Sequence, residues 1–209
     1  MNTRGTLQYL LTIILFFTGL TYTRAQQYDH KIIAILPINA HSYKLAPSAN
    51  DSAFQQAWAR EASLGIDVQE ALFNSITADS SKLLVDVQDW RVTDSLLQMA
   101  RLDLRKVTYM DKVQLAQLLK VDAILAGKLE IIDLKKYGTN SMANVSVTLG
   151  VMQLMGAQRR LTMQLYDGPS GNELWSFEKT VQSNKLFDRD KKIEDKLFRS
   201  FVKKFPYTR

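Results

Sequence analysis

The sequence predicts a mixed α/β domain in which helix-linked strands come first and an antiparallel meander follows in the same sheet, which the helices cover. Three observations lead to this fold class. Lys31–Pro37 is a continuous apolar run that ends in proline, as buried strands often do. Residues 52–132 carry apolar side chains at helical spacing between short apolar runs. From residue 143 the apolar period becomes two, which is typical of half-buried strands.

The first half of the chain alternates between strands and helices. Residues 38–52 are rich in Asn, Ser and Pro, so we expect a loop there and a helix that starts at Asp51 or Ser52. Gly65 lies in the middle of that helix; it weakens the helix by about 1 kcal/mol relative to alanine, and a break is expected there. Leu83–Val87 is expected to form a short second strand.

Two further helices have predicted start signals. Thr93 or Asp94 is expected to cap the first of them, because Thr and Asp side chains accept backbone N–H bonds at helix starts. Asp111 and Gln114 mark the second, since this pair at this spacing forms a capping box. The second start is the clearest helix signal in the chain.

The second half of the chain predicts strands. Val121–Ile132 is expected to be central because its first residues are apolar on both faces, and Gly127 suggests a bulge or a close neighbour. After a polar connection at residues 133–142, runs of period two continue to about residue 181, with a turn at residues 167–172. We expect these runs to form the antiparallel meander. An amphipathic helix over residues 186–209 is expected to pack on the domain.

The first 25 residues predict a secretory signal peptide. Arg4 provides a positive start, the run Tyr9–Leu20 is almost entirely apolar, and small residues precede the expected cleavage point. Cleavage between Ala25 and Gln26 would leave residues 26–185 as the α/β domain. An uncleaved anchor is the alternative, although the apolar run is shorter than the roughly 20 residues that cross a bilayer as a helix.

The chain contains no cysteine. Disulfides therefore cannot staple an exported form of this protein, and the apolar core has to hold it together. The sequence also offers no cysteine at the cleavage point that could be acylated as in bacterial lipoproteins. We therefore expect an exported periplasmic protein that is not lipid-anchored.

Positive charge is concentrated near the C-terminal end. The chain carries +6 overall, and residues 185–209 hold nine Lys or Arg against four Asp or Glu. A basic end attracts anionic surfaces, so we expect an envelope protein or an anionic membrane surface as its partner, and no nucleic acid. The candidate contact residues are the basic side chains Lys191, Lys192, Lys196, Arg199, Lys203 and Lys204. The favoured interpretation of this helix is that its phenylalanines cover the sheet while its lysines stay in water.

Two motifs resemble a group of bacterial periplasmic proteins. From Leu83 onwards the chain has a strand, a QD turn, a T-D-x-L-L helix and then LAQLLKVDAILAGKL; residues 161–178 read LTMQLYDGPSGNELWSFE. This order of motifs resembles the TolB amino-terminal domain, CsgG-type curli-secretion lipoproteins and lipoprotein activators of peptidoglycan synthases. The resemblance implies a bacterial envelope protein that binds other proteins and does no chemistry. The chain departs from many of these relatives because it lacks the cysteine that carries their lipid.

No set of residues in the sequence predicts catalysis. Asp86, Asp89 and Asp94 cluster at the end of the second strand. Asp86 and Asp89 could serve a hydrolase of an envelope polymer, but a turn and a helix cap are the favoured roles of Asp89 and Asp94. His30 and His41 are expected to be solvated surface residues. The sequence has no recognisable phosphate-binding loop or zinc motif, so we expect neither an enzyme nor a cofactor.

Two alternatives concern the later strands. Trp175 and Phe177 could form an aromatic binding platform, but core packing is their expected role. Residues 143–167 could cross the outer membrane as a β-hairpin, which would make the protein a membrane-associated subunit of a secretion or transport assembly. The leading hypothesis is a non-catalytic binding or assembly module of the periplasm that works through its sheet edges or its basic helix.

Overall fold

The computed structural model describes residues 28–43, 51–132, 158–182 and 190–209. Within these ranges the backbone forms one six-stranded mixed sheet, and helices pack on both of its faces. The predicted mixed α/β fold class is therefore confirmed. The predicted signal peptide, the polar connection 133–142 and the period-two run at residues 145–151 lie outside the described residues.

The strands and helices of the described residues alternate at first, and three strands then follow in succession. The strands are β1 (Ile32–Ile35), β2 (Asn39–Tyr43), β3 (Asp86–Val87), β4 (Ala123–Ile132), β5 (Gln158–Asp167) and β6 (Glu173–Gln182). The α-helices are α1 (Asp51–Thr77), α2 (Trp90–Met99), α3 (Lys112–Leu119) and α4 (Asp190–Val202). Short 3-10 turns cover Ser80–Lys82 and Val107–Tyr109.

Strand β4 lies in the centre of the sheet, as predicted for Val121–Ile132. β5 pairs antiparallel with its whole length, and β6 pairs antiparallel with β5, so these three strands form the meander. On the other side of β4, β1 and β2 run parallel to it one after the other, and β3 pairs with β1. Residues 158–167, which belonged to the hypothetical membrane hairpin, are thus paired on both sides within this sheet.

Residues 39–43, predicted as part of a loop, form strand β2. Their sequence NAHSY has no apolar run and only one strongly apolar side chain, so the local pattern gives no strand signal. The strand exists because the chain continues along β4 after β1: Asn39 pairs with Lys128, and Tyr43 pairs with Ile132. Tertiary pairing therefore decides the structure of this segment.

Helix α1 runs unbroken through Gly65, so the expected break is wrong. At Gly65 the helix crosses the chain that leads into β2, and the Gly65 carbonyl accepts the Ile38 N–H at 3.2 Å. A Cβ at position 65 would collide with the carbonyl oxygen of Ile38. Glycine is needed here because it permits a close approach of two backbones, and this contact outweighs its low helix propensity.

The helix starts are decided by aspartates. The predicted cap of α3 is confirmed, since the Gln114 N–H donates to Asp111 Oδ1 at 2.8 Å. The predicted cap of α2 at Thr93 or Asp94 is wrong, because this helix begins earlier and Asp89 caps it. Thr93 and Asp94 lie inside α2 and are buried.

Apolar side chains form one cluster on each face of the sheet. On one face, residues of α1 and α4 such as Leu72 and Phe201 pack on Leu125. On the other face, residues of α2 and α3 such as Leu97 and Leu119 pack against the opposite side of β1 and β4. Gly127 of β4 has the close neighbour that its sequence predicted: a Cβ there would collide with the thioether of Met163 on β5.

Candidate interaction surfaces

The C-terminal helix α4 is held on the sheet by its apolar side. Leu197 and Phe201 are fully buried, and Phe198 and Phe205 are nearly so. These side chains join the larger apolar cluster together with Phe177 of β6. The expectation that the phenylalanines cover the sheet therefore agrees with the structure.

An aromatic cluster joins α4 to strand β6. The Phe201 ring lies 5.5 Å from Phe177 and 5.3 Å from Phe205, measured between ring centroids. Trp175 lies 5.9 Å from Phe201 and 6.2 Å from Phe177. Rings at these separations attract one another beyond the area they bury. Phe177 thus lies in the core, as expected, and the half-buried Trp175 packs against it.

The basic side of α4 and of the turn after it faces solvent. Four candidate contact residues have exposed side chains, namely Lys196, Arg199, Lys203 and Lys204. None of these four forms an ion pair with another residue of the described ranges. The side chains of the other two candidates, Lys191 and Lys192, lie outside the described part of the structure.

Burial of its apolar side limits how α4 can contact a membrane. An amphipathic helix that lies in a bilayer surface inserts its apolar face among the lipids. In α4 that face is occupied by Leu197, Phe198 and Phe201, which are 0–5% exposed. No helix among the described residues is long and apolar enough to span a bilayer. Contact of α4 with a membrane would therefore depend on charge.

His30, expected on the surface, is buried, and both of its ring nitrogens have partners. Nδ1 faces the hydroxyl of Tyr207, and Nε2 lies 3.0 Å from Asp167 Oδ1. The Asp167 carboxylate only accepts, which places a proton on Nε2; in that tautomer Nδ1 accepts from the Tyr207 hydroxyl, which stays protonated because burial raises the pKa of Tyr207 far above its usual range. Nε2–H then donates to Asp167. The prediction failed because Tyr207 lies 177 positions away in the sequence.

The carboxylates near His30 hold backbone and turn groups. The pKa of Asp167 is lowered, first by the Ser170 hydroxyl and then by His30. Asp122 accepts the N–H groups of Ile32 at 3.0 Å and Lys31 at 2.8 Å, and these bonds lower its pKa. Asp122 belongs to the VDAI motif, so this part of the motif anchors the start of β1 beside β4. These contacts fasten the two ends of the described chain to the sheet.

The three aspartates considered for a hydrolase have separate surroundings. Asp89 Oδ1 accepts the N–H of Arg91 at 2.8 Å and caps α2. Asp94 is 6% exposed and accepts from Gln69 Nε2 at 3.1 Å. Asp86 is exposed on β3. Burial raises the pKa of Asp94, and the Gln69 bond opposes that rise. Asp89 thus caps a helix and Asp94 bonds to a neighbouring helix, so these two have structural contacts that the exposed Asp86 does not share.

A cleft that sequence reasoning missed lies beside the outer edge of β2. Its volume is about 450 Å³. Its lining comes from three places: residues 37–41 of the chain at β2, one side of α1, and the loop at residues 102–109. We call it the β2 cleft. The polar sequence of β2 carries no signal that could have revealed it, because the cleft depends on where α1 and the loop lie.

The walls of the β2 cleft belong to different layers of the fold. Ala62 and Ile66 lie on α1, which covers one face of the sheet. Leu102 and Leu104 lie in the loop, which packs with the apolar cluster of the other face. At the rim, Asn39 of β2 donates a hydrogen bond to the Tyr109 hydroxyl. The two layers thus project past β2 and leave a gap in the plane of the sheet.

The backbone of β2 has one partner strand in the described part of the chain. It pairs with β4, and none of the other strands described pairs with its opposite edge. Alternate N–H and C=O groups of a strand point to opposite sides, so an edge strand presents unpaired groups. Residues 39–41 of β2 line the cleft. Among the described residues, no group of three or more His, Asp or Glu side chains is arranged to hold a metal ion.

No protein-family model and no curated protein matches the sequence. Lipoprotein GNA1162 from Neisseria meningitidis has a similar structure, with 14% identity and a TM-score of 0.43 over 82% of this chain and 94% of that one. The C-terminal domain of LpoB from Salmonella enterica is 12% identical, with a TM-score of 0.38 over 77% of this chain and 89% of that one. PelC from Paraburkholderia phytofirmans, a dodecamer, is 14% identical, with a TM-score of 0.38 over 90% of this chain and 92% of that one. This likeness says nothing about what the present chain binds, and the resemblance to TolB and CsgG stays a prediction.

Proposed function

We propose that this protein is a non-catalytic protein-interaction module of the bacterial cell envelope. The β2 cleft carries the proposal, because it combines a strand edge that no second strand of the described residues pairs with and walls from both helical layers of the fold. The predicted signal peptide and the resemblance of the sequence motifs to periplasmic proteins support the envelope location. A periplasmic protein without a lipid anchor remains part of this proposal.

The proposed occupant of the β2 cleft is an extended segment of a partner protein. Such a segment can add a strand to β2, because main-chain hydrogen bonds supply affinity and the side chains on either face supply specificity. β2 has five residues, so it can pair along about 16 Å at roughly 3.3 Å per residue. A segment of four or five residues fits this length.

The walls of the cleft define the side chains of that segment. Successive side chains of a strand point to opposite faces, so one set would meet α1 and the other set would meet the loop. Ala62 and Ile66 on α1 and Leu102 and Leu104 in the loop are apolar. The segment is therefore expected to carry apolar residues on both faces, as a strand that is covered on both faces of its sheet does.

A photocrosslinking experiment in cells tests this function. A photoreactive amino acid replaces Tyr109, which is 73% exposed at the rim of the cleft. We expect it to capture an envelope protein through an extended apolar segment, which mass spectrometry of the crosslinked peptide identifies. Ala62→Trp should abolish this capture, because the indole fills the cleft from the α1 wall.

Ser63→Trp is the matched control. Ser63 is the next residue on α1, is exposed and does not line the cleft. Capture should be unchanged in this variant, and circular dichroism of both purified variants checks that they are folded. Failure to capture any protein from position 109, or equal capture by the two tryptophan variants, would contradict the proposed function.

A further inference from the structure

We infer that the exposed basic side of α4 is a second docking surface, and that it takes an acidic segment of an envelope protein. This surface consists of Lys196, Arg199, Lys203 and Lys204, and we call it the α4 basic surface. The inference rests on the proposed function because it names the chemistry of a second contact of the same module. It concerns a different edge of the sheet from the β2 cleft.

The α4 basic surface is presented in a defined geometry. The three positions 196, 199 and 203 follow one another at helical spacing, so their side chains leave the same side of the helix and its final turn. Leu197, Phe198 and Phe201 lie on the opposite side and are buried. The helix cannot rotate about its axis without exposing these side chains, so the cations are held facing outwards.

The cations of this surface have no acidic partners in the described part of the molecule. Elsewhere some cations are paired with nearby acids: Lys82 with Asp79, and Arg105 with Asp103. By contrast, the α4 basic surface gathers four positive side chains without an ion pair to any described residue. Like charges at helical spacing repel one another. A ligand with several negative charges relieves that repulsion, so the complementary ligand is polyanionic.

An acidic protein segment fits this surface better than a membrane does. Peripheral helices on membranes combine basic residues with apolar side chains that enter the lipid. The large apolar side chains that are exposed in the described residues are Val92, Met99 and Tyr109, and none of them lies on α4. The α4 basic surface therefore offers charge without an apolar anchor, as salt-dependent protein contacts do.

The α4 basic surface and the β2 cleft lie at opposite ends of the sheet. α4 packs against β6, which is the last strand on one side, whereas β2 lies beyond β4 on the other side. An occupant of one surface therefore leaves the other accessible. The module can bind two segments at once, which is what an assembly role requires.

The test uses a photoreactive amino acid at Ser200, which lies on α4 between the basic positions. The quadruple variant Lys196→Gln, Arg199→Gln, Lys203→Gln and Lys204→Gln is compared with the unchanged chain. Capture of a protein from position 200 should fall by about tenfold or more in this variant, since each exposed ion pair contributes up to a few-fold to affinity. Mass spectrometry should identify a crosslinked peptide rich in Asp and Glu.

A control variant removes the same charge from other exposed positions. It carries glutamine at four basic residues outside α4, namely Lys31, Arg60, Arg101 and Lys120. Capture from position 200 should be unchanged in this control. In extracts, capture by the unchanged chain should also fall as the salt concentration is raised from 50 to 500 mM. The Debye length is about 10 Å at 0.1 M and shortens over this range, so salt screens contacts between exposed charges.

A vesicle sedimentation assay distinguishes a membrane partner from a protein partner. Vesicles of phosphatidylglycerol and phosphatidylethanolamine are sedimented with the protein, and we expect no binding at 150 mM salt. Sedimentation that is lost in the quadruple variant, or capture of a protein that persists in that variant, would overturn the inference. If position 109 captures a partner and position 200 captures none, the inference fails and the proposed function stands. If position 109 captures none, the proposed function fails as well.

Discussion

The two ends of the sheet are completed in different ways. At the β6 end, α4 and the residues after it close over the sheet through a cluster of aromatic rings. At the β2 end, the edge strand has a polar sequence. Close contact between backbones and hydrogen bonds hold it in place, whereas apolar packing does so at the β6 end. At the β2 end Gly65 accepts from Ile38, and Asn39 donates to Tyr109.

This difference explains which surface is available at each end. Aromatic packing at the β6 end fixes α4 firmly and leaves its basic side for electrostatic contacts. The β2 end keeps a cleft because α1 and the loop at residues 102–109 hold the strand from the sides without covering its edge. We therefore expect substitutions at the β6 end to act through lost apolar packing, and those at the β2 end to act through backbone crowding and buried polar groups.

The largest effect is expected from Phe201→Ala at the β6 end. Phe201 is fully buried and contacts three aromatic rings, so its truncation should lower the free energy of unfolding by about 3–5 kcal/mol. Urea denaturation followed by circular dichroism measures this loss. If the alanine variant does not fold, Phe201→Leu should show a smaller loss. Lys203→Ala, which is exposed, should change stability by no more than about 0.5 kcal/mol.

Gly65→Ala tests the backbone contact at the β2 end. Alanine favours a helix by about 1 kcal/mol over glycine, so a position without tertiary contact would be stabilised. Here the new Cβ collides with the Ile38 carbonyl, and we expect a net loss of about 2 kcal/mol in urea denaturation. Ser63→Ala, at an exposed position of the same helix, should not destabilise. A more stable Gly65→Ala protein would contradict the close crossing.

Tyr207→Phe removes one hydroxyl beside the start of β1, where the residues after α4 reach His30. His30 Nδ1 then loses its donor while it stays buried, and we expect a loss of about 1–2 kcal/mol of stability. Thermal denaturation compares this variant with Tyr109→Phe, which removes the hydroxyl of an exposed tyrosine at the β2 end. Equal effects of the two substitutions would argue against a buried His30–Tyr207 bond.

Asp94→Asn is expected to have the smallest effect, and it should stabilise. Burial raises the pKa of Asp94 above its value in the unfolded chain, so the charged form costs stability at neutral pH. That cost, about 1.4 kcal/mol for each unit of pKa difference, disappears below the unfolded pKa of about 3.9. Asparagine keeps an oxygen for Gln69 Nε2, and it adds an N–H group near Gln69 Oε1, a buried atom without a hydrogen-bond partner in the structure described.

The pH dependence distinguishes this explanation from a simple gain in packing. At pH 7 the Asp94→Asn variant should have a higher free energy of unfolding than the unchanged chain, as measured by urea denaturation. This difference should vanish as the pH falls through 4. Asp111→Asn serves as the control because Asp111 caps α3 at an exposed position. A difference at Asp94 that does not change with pH would rule out the carboxyl charge as its cause.

Local patterns in the sequence predicted the elements whose cause is local. The apolar run at β1, the start of α1 at Asp51, the capping box at Asp111 and the turn after Asp167 were all predicted correctly. Each depends on side chains within a few positions of one another. The central place of β4 was predicted for the same reason, since apolar residues on both faces require cover on both faces.

Apart from the cap of α2, which Asp89 provides in place of Thr93 or Asp94, the wrong predictions concern residues whose partners are distant in the sequence. His30 is buried because Tyr207 and Asp167 meet it. Residues 39–43 form a strand because β4 offers them an edge. Gly65 does not break α1 because the chain at Ile38 crosses the helix there.

The sequence by itself determined the mixed α/β class, the starts of α1 and α3 and the concentration of positive charge near its end. These properties follow from periodicity, capping chemistry and composition, which act over short stretches of chain. Only the tertiary structure decided that β2 is a strand beside an open cleft and that the basic side of α4 is the side left in water. The physical reason is that an edge, a cleft and an exposed helix face depend on which distant segments come together and which do not.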